Sequence, residues 1–275
     1  QDAIKASGIL GIVLTKRGNG SGTHTELAGF PHHSLDTYLP KLVRAGQRVA
    51  ICDQLEDPKT TKTIVKRGVT ELITPGVSYS DNIIQQNTNN YLASLYFEKN
   101  SFGIAFIDIS TGEFLVAQGN ADYIDKLLQS FKPSEVIFQK NRQRDFIETF
   151  GDRFYTYHLD DWAYSGDYAN EILLKHFEVN SLKGFGIEKL PLAITAAGVA
   201  LHYLNETEHR NLQHISSVSR IEEDRYMWLD RFTIRNLELI GSVNENAVSL
   251  VDVLDKTCSP MGARLLRRWI IMPLK

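Results

Sequence analysis

The sequence predicts a mixed α/β protein divided into more than one domain, and three observations predict it. Its 275 residues exceed what one small domain uses, so two or three domains are expected. The middle of the chain carries strand-type apolar runs, YLASLYF at 91–97 and FGIAFIDI at 102–109, then alternates helical and strand patterns, the order of an α/β layer with a mixed sheet. After Arg210 short apolar positions are set between charges, which reads as the opening of a helical region.

Residues 4–14 (IKASGILGIVL) are mostly apolar, with strand character expected after Gly8. Thr15 to Gly22 (TKRGNGSG) is basic and glycine-rich. It lacks the Gly-Lys followed by Ser or Thr that closes a phosphate-binding P-loop, so its turn chemistry reads as a hairpin or loop. The functional alternative is that Lys16 and Arg17 contact phosphates, which positions a duplex without reading its sequence.

The stretch from Gly29 to Pro58 organises the first part of the chain. Ser34 is placed to cap a helix, and Leu35, Tyr38, Leu39, Leu42 and Val43 fall at i, i+3, i+4, i+7 and i+8, one apolar stripe. Gly46 ends it. Pro40 costs about 3 kcal/mol in a helix interior, so a kink or a late helix start is expected. Arg48 to Cys52 reads as a short strand running into the interior, closed by the polar turn Asp53 to Pro58. Lys59 to Ile73 alternates charges with β-branched residues and predicts a turn followed by a strand or strand pair, stopped by Thr74-Pro75-Gly76. Ser78 to Asn90 is polar and reads as a linker, with the first domain ending near residue 84.

The two apolar runs of the middle region flank Glu98-Lys99-Asn100-Ser101 and predict a hairpin. Gly112 allows another turn before a strand at Glu113 to Ala117. Ile124, Leu127, Leu128 and Phe131 give Ala121 to Phe131 helical spacing, ended by Pro133. Glu135 to Phe138 is a short strand, and Ile172 to Phe177 and Leu192 to Leu204 supply further helix. In the last region Asp230 to Ile240, Val248 to Leu254 and Ala263 to Ile271 share an amphipathic texture, with Leu265, Trp269 and Ile270 expected to be uncovered or covered by a neighbouring molecule.

Composition narrows the function classes. Hydrophobic residues at 43% and charged residues at 23% are ordinary for a soluble globular protein, and no apolar run reaches the ~18 residues that span a bilayer. The opening residues show no secretory signal pattern. Cys52 and Cys258 lie far apart without a CxxC partner, which fits a reducing cytoplasm and excludes a disulfide framework or zinc motif; both are expected to be packing residues. The net charge of −3 is unevenly spread. Residues 1–80 hold 10 Lys and Arg against 7 Asp and Glu, residues 81–210 hold 11 against 18, and residues 211–275 hold 9 against 8. The acidic middle repels a phosphate backbone and suits a protein partner, unless it is only a solvated surface.

Ala28-Gly29-Phe30-Pro31-His32-His33, Ala50 to Pro58 (AICDQLEDP) and Ile73-Thr74-Pro75-Gly76 resemble the first domain of the MutS-type DNA mismatch repair family. Gly103 to Phe114, Gly184-Phe185-Gly186, Ala196-Ala197-Gly198, Thr257 to Gly262 and Arg267-Arg268-Trp269 resemble the same family in the same order, so the likeness covers the whole chain. It implies a mismatch-recognition domain at 1–84, a connector of ribonuclease-H-like topology at 85–209, and the start of a helical core and lever domain at 210–275. The implied function is binding of mispaired or looped duplex DNA to initiate mismatch repair. Implied partners are mismatched double-stranded DNA, a MutL-type protein docking on the connector, and a second copy in a homodimer. The implied contacts to DNA are Thr15, Lys16 and Arg17, with the loop Gly29, Phe30, Pro31, His32 and His33 approaching the minor groove.

The family's mismatch reader is a Phe-x-Glu motif whose ring wedges into a mispair, which is easier to unstack and bend than a paired step. Gln1-Asp2-Ala3 resembles the sequence just after that motif, so the chain is expected to be an N-terminal fragment lacking it; Phe146-Ile147-Glu148 matches only the letters. No P-loop for the family's ATPase occurs, so no enzymatic activity and no cofactor are expected of this stretch, with ATP and Mg²⁺ expected for the full-length protein. Two alternatives stand beside this reading. A metal-dependent nuclease would use Asp108, with Glu113, Asp160 and Asp161 as further carboxylates; otherwise Asp108 caps a hairpin turn. A protein-interaction scaffold would bind no DNA. His24, His32 and His33 read as surface residues, the adjacent pair pointing opposite ways on an extended segment.

Overall fold

The structure is a computed structural model and describes residues 1–18, 24–57, 64–77, 87–207, 209, 211–242 and 247–275. The expected boundary near residue 84, most of the 78–90 linker and the tip of the glycine-rich segment lie outside the described residues.

The chain begins with helix α1, Asp2–Leu10, where a strand was expected after Gly8. Gly11 closes the helix in the left-handed region (φ 67°), so Ile9 and Leu10 stay helical and only Leu10 is buried. Strands β1 (Leu14–Gly18) and β2 (His24–Ala28) form an antiparallel hairpin, so Thr15 to Gly18 is strand rather than loop. A 3-10 turn at His32–Ser34 leads into helix α2, Leu35–Arg44. Pro40 sits inside α2 and is buried, and the helix starts five residues ahead of it. Gly46 (φ 75°) ends the turn, its N–H reaching the Val43 carbonyl.

Strands β3 (Val49–Gln54) and β4 (Arg67–Ile73) pair antiparallel with a bulge between Ile51 and Cys52. β3 does not run into the interior. Most of it is exposed, Cys52 included, because the two-stranded sheet covers only a small cluster of Leu39, Val43 and Ile73, with Leu35, Val49 and Ile51 beside it. A core this small stabilises little, since each buried aliphatic side chain contributes about 1.5–3 kcal/mol.

The middle region is built differently. Strands β5 (Leu92–Glu98), β6 (Ser101–Asp108) and β7 (Glu113–Gly119) form an antiparallel meander, as the hairpin and turn signals predict. Helix α3 (Ala121–Phe131) then leads to β8 (Glu135–Gln139), which joins β5 in parallel. Helix α4 (Gln143–Phe150) leads to β9 (Thr156–Leu159), parallel to β8. Helices α5 (Gly166–His176) and α6 (Pro191–Glu206) follow, α5 starting earlier than the apolar spacing alone suggested. A short strand β10 (Ser219–Arg220) pairs in parallel with β7, giving the order β10-β7-β6-β5-β8-β9.

Alternation along the strands fills both faces. Leu92, Ala105, Ile107 and Val116 face a core shared with Leu173 and with Ala196, Val199 and Tyr203 of α6. Leu95, Phe97, Ile104, Phe106 and Phe138 face a second core with Leu127 of α3 and Phe146 of α4. Burial on both faces explains why these strands read as continuous apolar runs. Gly103 is needed for one of those contacts: a Cβ there would stand 2.1 Å from the Leu192 backbone at the start of α6.

The last region is only partly helical. Helices α7 (Arg231–Asn236) and α8 (Leu250–Leu254) are short, and α9 (Pro260–Ile271) is longer. The segment expected at Asp230 to Ile240 buries Ile234 and Leu239 while Phe232 and Leu237 are exposed. Leu265 and Trp269 are exposed, as expected; Ile270 is half-buried. Cys258 is exposed, not packed.

Candidate nucleic-acid interface

All five residues of β1 are exposed, so the basic triplet is accessible, but the strand divides it. Side chains alternate, placing Thr15 and Arg17 on one face of the ribbon and Lys16 on the other. Lys16 stands opposite Glu26, Arg17 opposite Thr25, and the Thr15 hydroxyl donates to the Leu27 carbonyl at 3.0 Å. Each face of the hairpin therefore carries one member of the Lys16–Arg17 pair, a weaker concentration of charge than the sequence suggests.

Gly29 leaves β2 beside the Leu14–Ala28 pair, so Gly29 to His33 lies at the base of the hairpin. Arg17 is three register steps away, about 10 Å along the strand. Gly29, Pro31, His32 and His33 are exposed. The two histidines occupy the 3-10 turn rather than an extended segment. Phe30 differs from its neighbours: half-buried, it stacks on Tyr38 of α2 with ring centroids 4.6 Å apart. That contact holds the loop to the helix. Lys41 lies 5.4 Å over the other partner's ring, that of Tyr38, and adds an exposed cation that the sequence reading passed over; its position three residues after Tyr38 on one helix is the signal that could have found it.

The module carrying these residues rests on the middle region through polar contacts. The Tyr155 hydroxyl donates to the Arg44 carbonyl at 3.3 Å, and the Arg48 guanidinium lies 3.5 Å over the Tyr157 ring. The Leu72 N–H reaches the Thr207 carbonyl at 3.4 Å. Thr74 and Gly76 donate to the carboxylate of Glu135 at the start of β8. None of these pairs is signalled locally, since the partners lie far apart in sequence.

The nuclease alternative does not find its geometry. Asp108 is fully buried and accepts from the Ser110 N–H (3.0 Å) and hydroxyl (2.6 Å), the Asn89 amide (2.8 Å) and the Asn90 N–H (3.3 Å). It caps the β6–β7 turn and ties down residues 89 and 90. Glu113, directly across the turn, is engaged by Arg268 and Tyr91. Asp160 and Asp161 follow β9, three strands away. Among the described residues no group of three or more His, Cys, Asp or Glu is placed to hold a metal ion. Phe146, the ring of the Phe-x-Glu letters, is fully buried and stacked 4.4 Å from Phe138, so it cannot wedge into DNA.

Comparison with known proteins adds three matches in chain order. Residues 1–82 match the family model of MutS domain I, residues 90–216 that of MutS domain II, and residues 232–275 that of MutS domain III. The DNA mismatch repair protein MutS of Flavobacterium johnsoniae is 65% identical over 275 residues, all of this chain and 32% of that protein. The proteins of that name from Cytophaga hutchinsonii and Parabacteroides distasonis are 64% and 59% identical with the same coverage. The chain thus spans about a third of the length of the curated relatives it matches.

Proposed function

Since the chain belongs to the MutS family of DNA mismatch repair proteins, we propose that it supplies duplex-holding and relay parts of a protein that binds mispaired or looped DNA and initiates mismatch repair. One observation carries the reading: three successive MutS domain models match in order along a chain that is 65% identical to a MutS relative throughout. The division we assign is a recognition domain at 1–84, a connector at 85–209 and the first part of a helical core and lever domain at 210–275. The sheet order β7-β6-β5-β8-β9, an antiparallel meander extended by parallel strands beside β5, supports a ribonuclease-H-like topology for the connector.

In this reading Thr15, Lys16 and Arg17 contact phosphates from the two faces of the hairpin, while Gly29, Pro31, His32 and His33 approach the minor groove and Phe30 keeps their loop on α2. Contacts of this kind position and bend a duplex without reading bases, so discrimination rests on how easily a mispair deforms. The acidic connector is assigned the docking of a MutL-type protein, and the whole protein is assigned a homodimeric state in the cytoplasm. No helix of the described residues is long and apolar enough to cross a membrane. ATP and Mg²⁺ belong to the whole family protein in this proposal, and no P-loop occurs in this sequence to hold them.

The test is a titration of duplex DNA against salt with Lys16 and Arg17 both replaced by Ala. Each phosphate contact contributes a slope of about −0.9 in log affinity against log salt, so the double variant is expected to lose about 2 units of slope and to weaken on matched and mismatched duplexes alike. Unchanged affinity and slope would remove these residues from the interface.

A further inference from the structure

Glu135 is 2% exposed and stands where the first module meets the connector. Its carboxylate accepts from three donors on two elements. The Thr74 hydroxyl and the Gly76 N–H (3.1 Å) come from the turn that ends the first module, and the Tyr203 hydroxyl (2.8 Å) comes from α6. The turn is itself closed by paired hydrogen bonds between Thr74 and Val77, both fully buried. Among the described residues no Lys, Arg or His nitrogen lies within ion-pair distance of Glu135; Arg48, the near cation, lies over the Tyr157 and Tyr203 rings. Burial therefore pushes the Glu135 carboxyl up from its usual range, against the hydrogen bonds that favour its charge.

We infer that Glu135 is a positioning residue: by binding donors from both modules at once, it fixes the orientation in which the connector carries the β1–β2 hairpin and the Gly29 to His33 loop. The significance for DNA rests on the proposed function, while the positioning itself does not. The Gly76 N–H has a fixed direction and the two hydroxyls a fixed position, so the three donors reach the carboxyl oxygens together in one relative placement of the modules. The neighbouring fit is equally narrow. A Cβ on Gly76 would stand 2.8 Å from the Glu135 Cβ, and a Cβ on Gly46 would stand 2.2 Å from the Tyr155 ring. A buried carboxylate with no cation in direct contact adds little net stability, so what Glu135 supplies is directional: it selects one docking geometry among those that the surrounding contacts tolerate.

The experiment measures the distance between the two modules in the 275-residue chain. The exposed native Cys52 on β3 carries one spin label, an exposed site on α4 (Glu148→Cys) carries the other, and Cys258→Ser removes the remaining thiol. With Glu135 present the expected result is one narrow distance distribution. Glu135→Gln places an amide N–H₂ against the Thr74 and Gly76 donors, and Thr74→Val deletes one donor at nearly constant shape. Both are expected to broaden the distribution at least twofold while the denaturation midpoint hardly moves. Unchanged width in both variants would overturn the inference, as would broadening that merely tracks a fall in midpoint, the behaviour of a structural residue. Should Glu135→Gln fail to fold, Thr74→Val decides alone by the same two readings. Binding of duplex DNA by the unsubstituted chain is recorded separately: its absence would sink the proposed function and leave the distances to judge Glu135.

Discussion

Glu135 and Glu113 both anchor junctions of the middle region, and they are satisfied by opposite means. Glu135 joins the first module through the Thr74 hydroxyl and the Gly76 N–H, is held from its own side by the Tyr203 hydroxyl, and is sealed from water. Glu113 joins α9 of the last region and keeps its side chain 22% exposed. Arg268 of α9 donates to Glu113 and to the Tyr91 hydroxyl (2.9 Å), Tyr91 donates to Glu113 (2.5 Å), and Asn89 approaches the same oxygen at 3.4 Å. Burial opposes the Arg268 charge, yet Glu113 and Tyr91 hold its pKa above the usual guanidinium value. Burial first, then the Glu113 charge, pushes the Tyr91 phenol well above its ordinary range. The comparison teaches that a cation in direct contact lets a junction stay partly wet, whereas a carboxylate whose nearest cation, Arg48, acts only through space must exclude water and align its donors. The first solution depends on charge balance and the second on geometry.

The largest expected effect comes from unbalancing the charged junction. Arg268→Ala leaves Glu113 and Tyr91 in a half-buried site without their cation, a loss of about 3 kcal/mol read from the urea midpoint. Adding Glu113→Gln to Arg268→Ala is expected to recover part of it, because the orphaned charge goes too. If the double variant is no better than the single, the junction is held by packing and the contrast with Glu135 collapses. A smaller effect is expected from crowding the geometric junction. Gly76→Ala puts a methyl against the Glu135 Cβ and, at 3.1 Å, the Leu92 side chain, for a loss of about 2 kcal/mol. Gly184→Ala, with open space around its Cβ position, is the control and is expected to be neutral.

The same contrast explains what the sequence revealed. The middle region was legible because its pattern is local: β5, β6, β7 and α3 appear where apolar alternation, the Lys99-Asn100 turn, Gly112 and Pro133 place them. The first module misled where burial was too slight to set a pattern, so the end of α1 after Gly8 was read as strand and β3 as interior. Of the candidate site, exposure of Lys16, Arg17 and the Pro31 to His33 loop followed from composition, but their separation onto two faces of a hairpin did not, because strand register decides it. The junction residues were invisible. Glu135 reads as the start of a strand and Arg268 as one basic residue of a motif; their partners lie 61 and 155 residues away, Thr74 and Glu113, beyond any local periodicity.

The smallest effect, and the one that sharpens the comparison most, is on pH. Burial raises the Glu135 carboxyl, so the docked state holds a proton more readily than the free chain. Its stabilising contribution is complete below the ordinary carboxylate pKa and is lost as pH rises through the raised docked value. His209 sits at the same junction, its Nε2 4.0 Å from Glu71 and its Nδ1 2.8 Å from the Thr207 carbonyl, and burial lowers its pKa. Its contribution has the other sign, present above the ordinary histidine value near 6.5 and lost as pH falls through the depressed one. On acidification from neutrality the two groups therefore oppose each other, which flattens the pH response of the first junction. Replacing each alone separates them: Glu135→Gln is expected to leave a midpoint that falls with pH below about 6.5, and His209→Gln one that rises as pH drops toward the carboxylate range. Parallel pH profiles for the two variants would show that neither group titrates against the dock, and Glu135 would then differ from Glu113 in its surroundings but not in its energetics.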